Sequence, residues 1–485
     1  MTRSDTVRKS RVLVGFADDC RQQIEQLPGA QMVFADARFG KRPVCLPADL
    51  QGEIYAATSP EPTGGRFNPD LTARARAYGA ALDQAIDAGC GVAQFTPPSD
   101  PVATLPCLIE ALDRLQMRTG QVSHPDITAF PPETRKWAKL IVAGRGLARS
   151  ITEATPEQPV TELAAIVAQA LSAAGAETEL LSGDAIQQSY PLCAAVSAAT
   201  QRDPDRRPAV LRVRIGRLDA PRALFCAGKG VVMDTGGIDL KPAGQFGMSR
   251  DKGGAGTLAG FLLAAATACP EDLCIHAEIG FAWNGIGASA ITADHCLTSA
   301  AGVRLQVGNT DAEGRLILSD LLCSLLAQRQ QVSAAQADFI ALATLTGHAA
   351  RAFGQRSVLI GDDYWQQSQR DQALLQSCES VGERAAVSPL CPEDWAAVMP
   401  TAAPVELVGG KITNSIATVR GHQYPVAVIK TAAGWFNAPR PEYDGFLLAD
   451  IAGANKRGDL PGARAACPMV GALVARYLMG SKEQT

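Results

Sequence analysis

Residues 227–260 read AGKGVVMDTGGIDLKPAGQFGMSRDKGGAGTLAG, and residues 308–320 read GNTDAEGRLILSD. The first follows an apolar, β-prone run, Ala223–Ala227, and leads into a helix-forming one, Gly254–Ala268. The second lies between the strand-like Arg304–Val307 and the helix-like Leu316–Gln328. Two polar, glycine-bearing segments at the exits of strands are what an open α/β sheet provides where its ligands bind.

The same alternation extends outward from both stretches. Val210–Ile215, Leu273–Ala282, Asp338–Leu345 and Phe446–Ile451 read as strands, and Met469–Met479 as a helix. This predicts a mixed sheet covered by helices on both faces. Towards the N-terminus, Arg11–Phe16 and Val92–Phe95 read as strands. Leu71–Ala88, stopped by Gly89, and Val102–Met117 read as helices. Three prolines within residues 124–133 mark a domain exit, and Thr134–Ile151 and Val160–Ala174 follow as helices. The fold class is therefore α/β, with a smaller N-terminal α/β domain at 1–132 and a connecting helix at 133–151. A larger domain with a mixed central sheet flanked by helices takes 152–485.

Composition narrows the function. The chain has 485 residues, 47% hydrophobic and 19% charged, which suits a folded protein of about two to four domains. A net charge of −4 leaves no positive excess for nucleic acid or an anionic membrane. Residues 1–132 hold no lysine- or arginine-rich run, which disfavours a DNA-binding role. The apolar run Val12–Ala17 is too short for a signal peptide, and no window approaches 18 consecutive apolar residues. Thirteen cysteines without a C-x-x-C pair fit buried thiols in a reducing cytoplasm. His124, His276, His295, His348 and His422 stand at no metal-ligand spacing, so any metal here is held by carboxylates.

Glycines at 228, 230, 236, 237, 244, 247, 253, 254, 256 and 260 are denser than helix or strand formation favours. They predict a backbone that approaches something closely, with Lys229, Asp234, Lys241 and Asp251 projecting from it. A phosphate loop lacks its G-x-x-x-x-G-K-[ST] spacing, and a glycine-rich loop with solvated charges is the plainer alternative. In the second stretch Asp311, Glu313 and Arg315 alternate. An extended segment would turn all three to one face, with Asp320 on the face of the following helix. A Glu–Arg surface pair in a turn is the ordinary reading of such a segment. Together, however, Asp234, Asp251, Asp311 and Glu313 supply four negative charges, which match two divalent cations about 3.5–4 Å apart. Oxygen-rich ligation suits Mn²⁺ or Mg²⁺, and Zn²⁺ also accepts it.

The blocks GKGVVMDTGGIDLKP (228–242) and NTDAEGRLILSD (309–320) closely resemble the two signature blocks of the leucine (cytosol) aminopeptidase family. LARSITEATPEQPVTELA (147–164), ALATLTG (341–347) and ADIAG (449–453) resemble it too. The resemblance implies a dinuclear metallo-exopeptidase of the cytoplasm that removes N-terminal, leucine-like residues from peptides with a free N-terminus. It also implies assembly as a homohexamer. Lys229, Asp234, Asp251 and Glu313 would hold one metal, and Asp234, Asp311 and Glu313 the other, as Mn²⁺, Zn²⁺, Mg²⁺ or Co²⁺. Lys241 would stabilise the oxyanion, and Arg315 would hold a bicarbonate acting as general base. Met248, Thr344, Gly347, Ala452 and Asn455 would line the pocket for the first residue.

Some positions depart from the family pattern. The Lys241–Asp251 spacing is one residue shorter than usual, which predicts some displacement of Asp251. Lys252 stands where an apolar residue is common, and Asn455 brings a polar group to the expected pocket rim. The segments Trp283–Leu297 and Asn414–Arg420 differ from the usual ones. All seven charged positions of the chemistry are nevertheless present, which favours an active enzyme over a binding protein. A two-metal hydrolase of phosphate esters is the remaining enzyme reading, disfavoured by the lysine ligand.

Overall fold

The computed structural model describes residues 11–16, 44–45, 52–57, 71–87, 93–117, 125–400, 405–410, 418–455 and 465–480. The Gly89 helix stop, His124 and residues 414–417 lie outside them. The chain divides into two compact units. One comprises Met1–Ala143 with Ser377–Glu383 and Met479–Thr485, the other Gly144–Gln376 with Arg384–Leu478.

In the first unit β1 (Arg11–Phe16) pairs in parallel with β3 (Gly52–Ala57) and β4 (Ala93–Phe95). The short β2 (Val44–Cys45) adds antiparallel to β3. Helices α1 (Leu71–Asp87) and α2 (Pro101–Met117) pack together, with Tyr78, Leu82, Phe95, Leu108 and Ile109 buried. The long helix α3 (Pro132–Glu153) spans the division between the units.

The second unit is built on an eight-stranded sheet. In chain order its strands are β5 (Glu177–Ser182), β6 (Ala209–Ile215), β7 (Arg222–Asp234), β8 (Leu273–Asn284), β11 (Ala337–Ala343), β12 (Ser357–Gly361), β13 (Ala385–Val387) and β15 (Gly445–Asp450). Their spatial order is β13-β12-β15-β11-β7-β8-β6-β5. The centre, β15-β11-β7-β8, is parallel, and antiparallel pairings attach β12 on one side and β6 with β5 on the other. The central strands are buried along their length, which is why they read as unbroken apolar runs instead of alternating ones. A small separate sheet joins β9 (Cys296–Thr298), β10 (Arg304–Gln306) and β14 (Leu407–Val408). Helices α4 (Val160–Ala173), α5 (Pro191–Val196), α6 (Gly253–Ala268), α7 (Glu313–Arg329), α8 (Gly347–Phe353), α9 (Tyr424–Ala432) and α10 (Val470–Tyr477) complete the elements used below. Among the described residues no helix is long and apolar enough to cross a membrane.

Two expectations need correction. The glycines at 228 and 230 lie inside β7, and those at 253, 254, 256 and 260 inside α6, so their density does accompany regular structure. What they approach closely is the protein itself. A Cβ on Gly254 would lie 2.1 Å from the Leu342 carbonyl oxygen, and one on Gly260 would lie 2.4 Å from that of Gly144. Helix α6 therefore packs with its backbone against β11 and the second half of α3, a contact that any side chain would push apart. We expect Gly254→Ala to lower stability by about 1–3 kcal/mol through overpacking. Denaturant unfolding checks this, and an unchanged midpoint would mean that α6 can shift freely.

The second correction concerns Asp311, Glu313 and Arg315. They do not alternate along an extended segment. Thr310–Ala312 form a 3₁₀ turn, and the helix begins at Glu313, three residues before the predicted Leu316. Asn309 caps the turn by accepting from the Asp311 amide. An Asn followed by acidic residues is a helix-start pattern, and here it prevails over continuation of the strand.

Candidate metal centre

Strand β7 carries Lys229 and Asp234, five residues apart, which simple alternation would place on opposite faces. The pairing with β8 resolves this. Lys229 lies opposite Gly280 and Asp234 opposite Asn284, so five steps on β7 match four on β8, with the irregularity between Val231 and Met233. That bulge returns Asp234 to the face of Lys229. After the strand, Gly236 (φ +89°) and Gly237 (φ +66°) reverse the chain, and the Lys241 amide donates to the Thr235 carbonyl at 3.1 Å. A Cβ on Gly236 would lie 2.7 Å from the Asp239 carbonyl oxygen, so the reversal needs glycine. Lys241 is thereby brought back over the end of β7.

The charged side chains meet there. Lys229 Nζ lies 2.7 Å from Asp251 Oδ2 and 2.7 Å from Glu313 Oε1, and donates to the Thr344 carbonyl at 3.1 Å. Lys241 Nζ lies 2.5 Å from Asp234 Oδ2 and pairs closely with Asp311 Oδ1. Asp234, Asp251 and Glu313 each offer an oxygen within 4.8 Å of the others'. The shortened Lys241–Asp251 loop thus leaves Asp251 in contact with Lys229.

Arg315 forms no ion pair with these carboxylates. Its guanidinium donates to the Gly409 carbonyl at 3.3 Å and lies 4.8 Å from the centre of the Tyr424 ring. Its Nε is buried and has no hydrogen-bond partner.

Charge and burial conflict in this cluster. Four carboxylates face two lysines, so the side chains sum to −2, and Lys229, Asp234 and Glu313 are almost wholly buried. Burial, reinforced by Glu313, raises the Asp234 pKa. Burial also pushes Asp251 well above the usual carboxylate range and, with Glu313, lifts Asp311 to about 7. Glu313 goes the other way: burial opposes its charge, but Lys229 and Lys241 hold its pKa down. For both lysines burial disfavours the cation, yet the surrounding carboxylates outweigh it and drive their pKa values up. Glu313 Oε2 is buried with no hydrogen-bond partner. A buried excess of anions with an unspent carboxylate oxygen is a donor set for hard or borderline cations.

Several residues position the cluster in ways not expected from the sequence, and of these only Thr344 was singled out there, as a pocket residue. Asn284, at the end of β8, donates to Asp234 Oδ1 at 2.8 Å, and the Gly236 amide donates to the same oxygen at 2.9 Å. The Thr344 hydroxyl donates to Asp251 Oδ1 at 2.8 Å. Thr310 and Asp239 lock the two stretches together: the Thr310 amide donates to Asp239 Oδ2 at 2.7 Å, and the Asp239 amide to the Thr310 hydroxyl at 2.8 Å. Asp450, at the end of β15, accepts from the Leu345 and Ala452 amides and the Thr346 hydroxyl, tying two loops beside the cluster. A buried polar residue ending an apolar strand was the signal for Asn284 and Asp450. Asp320 is not a plain helix-face residue, since it accepts from the Leu192, Cys193 and Ala300 amides and so anchors the start of α5.

Met248 and Ala452 are half-buried, and Gly347 is exposed with open space where a Cβ would stand. Asn455 does not sit on a rim. It is 4% exposed, a Cβ on Gly253 would lie 2.4 Å from its Nδ2, and its Oδ1 has no partner. Lys252 is fully buried and donates to the carbonyls of Ala154, at 2.7 Å, and Ser249, which is how a lysine fits where an apolar residue was expected.

Known proteins place this arrangement. A putative aminopeptidase of Caenorhabditis elegans is 32% identical over 289 residues, which cover 59% of this chain and 55% of that protein. The chain spans about half the length of the curated relatives it matches. The leucyl aminopeptidase of Trypanosoma brucei, solved with actinonin, superposes with a TM-score of 0.77 at 18% identity, covering 97% of this chain and 92% of that one. The bottromycin maturation enzyme BotP, solved with Mn, gives a TM-score of 0.72 at 17% identity, covering 97% and 99%. These likenesses show a shared fold. Residues 146–469, more than half of the chain, match the catalytic domain of the cytosol aminopeptidase family, and the chain belongs to that family.

Proposed function

We propose that the chain is a metal-dependent aminopeptidase that releases N-terminal residues, preferably apolar ones such as leucine, from peptides. The observation that carries this reading is the buried cluster of four carboxylates and two lysines with its excess negative charge and unspent Glu313 oxygen. The donor set fits two divalent cations: Lys229, Asp234, Asp251 and Glu313 would hold one, and Asp234, Asp311 and Glu313 the other. The ions, when bound, would acidify a water, polarise the scissile carbonyl and engage the substrate's free α-amine. Lys229 can ligate only as the neutral amine, and its carboxylate neighbours favour the ammonium, so ligation requires nearby dications to reverse that balance.

The chain's own groups do the rest. Lys241 keeps a positive charge where the oxyanion develops. Asn284 and the Gly236 amide fix one oxygen of Asp234, and Thr344 fixes Asp251. Arg315, whose Nε is unspent, would hold the bicarbonate that serves the family as general base. Assembly as a homohexamer rests on the family resemblance.

The first-residue preference follows from what stands at the pocket positions. Met248, Thr344, Gly347 and Ala452 bring no cation, and Lys252 is committed to two backbone carbonyls. Burying a leucine side chain there is worth about 1.5–3 kcal/mol, whereas an unpaired carboxylate costs several. We expect leucyl and methionyl anilides to be cleaved well and aspartyl anilide poorly. Chelation should abolish activity, and at least one of Mn²⁺, Zn²⁺, Mg²⁺ or Co²⁺ should restore it. Faster cleavage of the aspartyl substrate would overturn the apolar pocket. Turnover of a chromogenic phosphate ester with no anilide cleaved would overturn the aminopeptidase reading itself.

A further inference from the structure

The parallel strands that end at the carboxylate cluster begin at a second polar place. Where β7, β8 and β11 start, a cavity of about 140 Å³ has among its lining residues Arg222, Gln336, Asp338, Arg370, Arg476 and Tyr477. Arg222 and Asp234 are the first and last residues of the 13-residue β7, so about 40 Å of extended strand separates this cavity from the metal cluster.

The cavity's single carboxylate is already spent. Asp338 Oδ2 accepts from the Tyr477 hydroxyl at 2.7 Å, and its Oδ1 pairs closely with Arg370. Arg222 gives Nε and Nη2 to Asp272, at 2.8 and 3.0 Å, which leaves its Nη1 uncommitted. Arg476 has no carboxylate partner among the described residues. Its guanidinium lies 5.6 Å from the Tyr477 ring centre, and its Nε is buried without a hydrogen-bond partner. With Asp272 on Arg222 and Asp338 on Arg370, the cavity keeps one uncompensated positive charge, that of Arg476, and an orphaned buried N–H costs about 1–3 kcal/mol unless something accepts from it. The group that answers both is an oxyanion, which takes several guanidinium N–H donors at once.

We propose that this cavity is a binding site for a small oxyanion, phosphate or carboxylate, held by Arg476 and Arg222 with Arg370 behind them. Its volume is close to that of a cavity which takes one benzene (about 150 Å³), so it admits a phosphate or a short carboxylate.

Calorimetric titration of the metal-loaded protein with inorganic phosphate, and in parallel with acetate, tests the assignment in wild type, Arg476→Gln and Arg222→Gln. The metal centre is the same in all three, so anion binding there contributes equally and the differences read the cavity. Each substitution should weaken binding of the preferred anion at least about tenfold, the loss expected for one charge-assisted contact. Leucyl-anilide turnover without added anion should stay unchanged. The anion that loses affinity identifies the source as a phosphoryl or a carboxylate group. Equal affinities for both anions across the three proteins, or no binding by the wild type, would overturn the site. Arg222 is 43% exposed, so its variant carries the test if Arg476→Gln fails to fold.

Discussion

Glu313→Ala should reduce turnover to background and cost the protein one or both of its metal ions. Glu313 is the first residue of α7 and is buried to 2% exposure. Its Oε1 meets Lys229 and its Oε2 meets no donor, so its two oxygens can serve two different cations. Its carboxyl is also the one in the cluster whose pKa falls below the ordinary value, because Lys229 and Lys241 outweigh the penalty of burial. It is therefore the anion most firmly present when cations arrive. The substitution leaves three carboxylates, all of which burial pushes towards the protonated form. The fold should tolerate the change: an acidic residue in the first turn of a helix is worth about 0.3–1 kcal/mol. Metal analysis together with far-ultraviolet circular dichroism separates the effects. Glu313→Gln, which keeps the shape and removes the charge, should behave like the alanine variant. Unchanged metal content with normal turnover in either variant would remove Glu313 from the centre.

How far the sequence reaches is clearest at particular residues. The central strands and the helices after them were legible because burial on both faces leaves long apolar runs, although β7 runs from Arg222 to Asp234 where only Ala223–Ala227 read as strand, and β8 runs on to Asn284. The charged residues of the two stretches were legible only taken together, since each stretch alone had an ordinary reading as solvated surface charge. What escaped was anything set by contact between distant segments. The β7 bulge, which decides whether Lys229 and Asp234 share a face, leaves no trace in residue periodicity, since it is defined by register against β8. The helix carrying the glycines of α6 was legible, but their density read as close approach to a ligand because local propensity disfavours glycine in a helix, whereas it is the backbone of β11 and α3 that requires them. Asn455 read as a rim residue because pocket positions say nothing of burial. Its place against Gly253 depends on how residues after β15 return to the start of α6.

Lys241→Ala should leave the metal content intact and lower kcat by roughly 10²–10³-fold, the loss typical of one group that stabilises a developing oxyanion. Unlike Lys229, which is sealed between Asp251 and Glu313, Lys241 stands at the mouth of the cluster, with 17% of its side chain exposed against 2%. It comes from the loop after β7, so it can be removed without touching the strand that carries Lys229 and Asp234. Burial opposes its charge, but Asp234, Glu313 and Asp311 outweigh it and hold its pKa up, which favours the cation. Removing it frees Asp234 and Asp311 of a lysine competitor, which should preserve or strengthen cation binding. The substrate's ground-state carbonyl is nearly neutral and gains little from a cation, whereas the tetrahedral oxyanion gains much. The loss should therefore appear in kcat, with KM little changed. Lys241→Arg, which retains the charge in a broader fork, should recover part of the loss. Metal content falling in parallel with kcat would instead make Lys241 a structural counter-ion of Asp234 and Asp311, and its place in the chemistry would pass to another group.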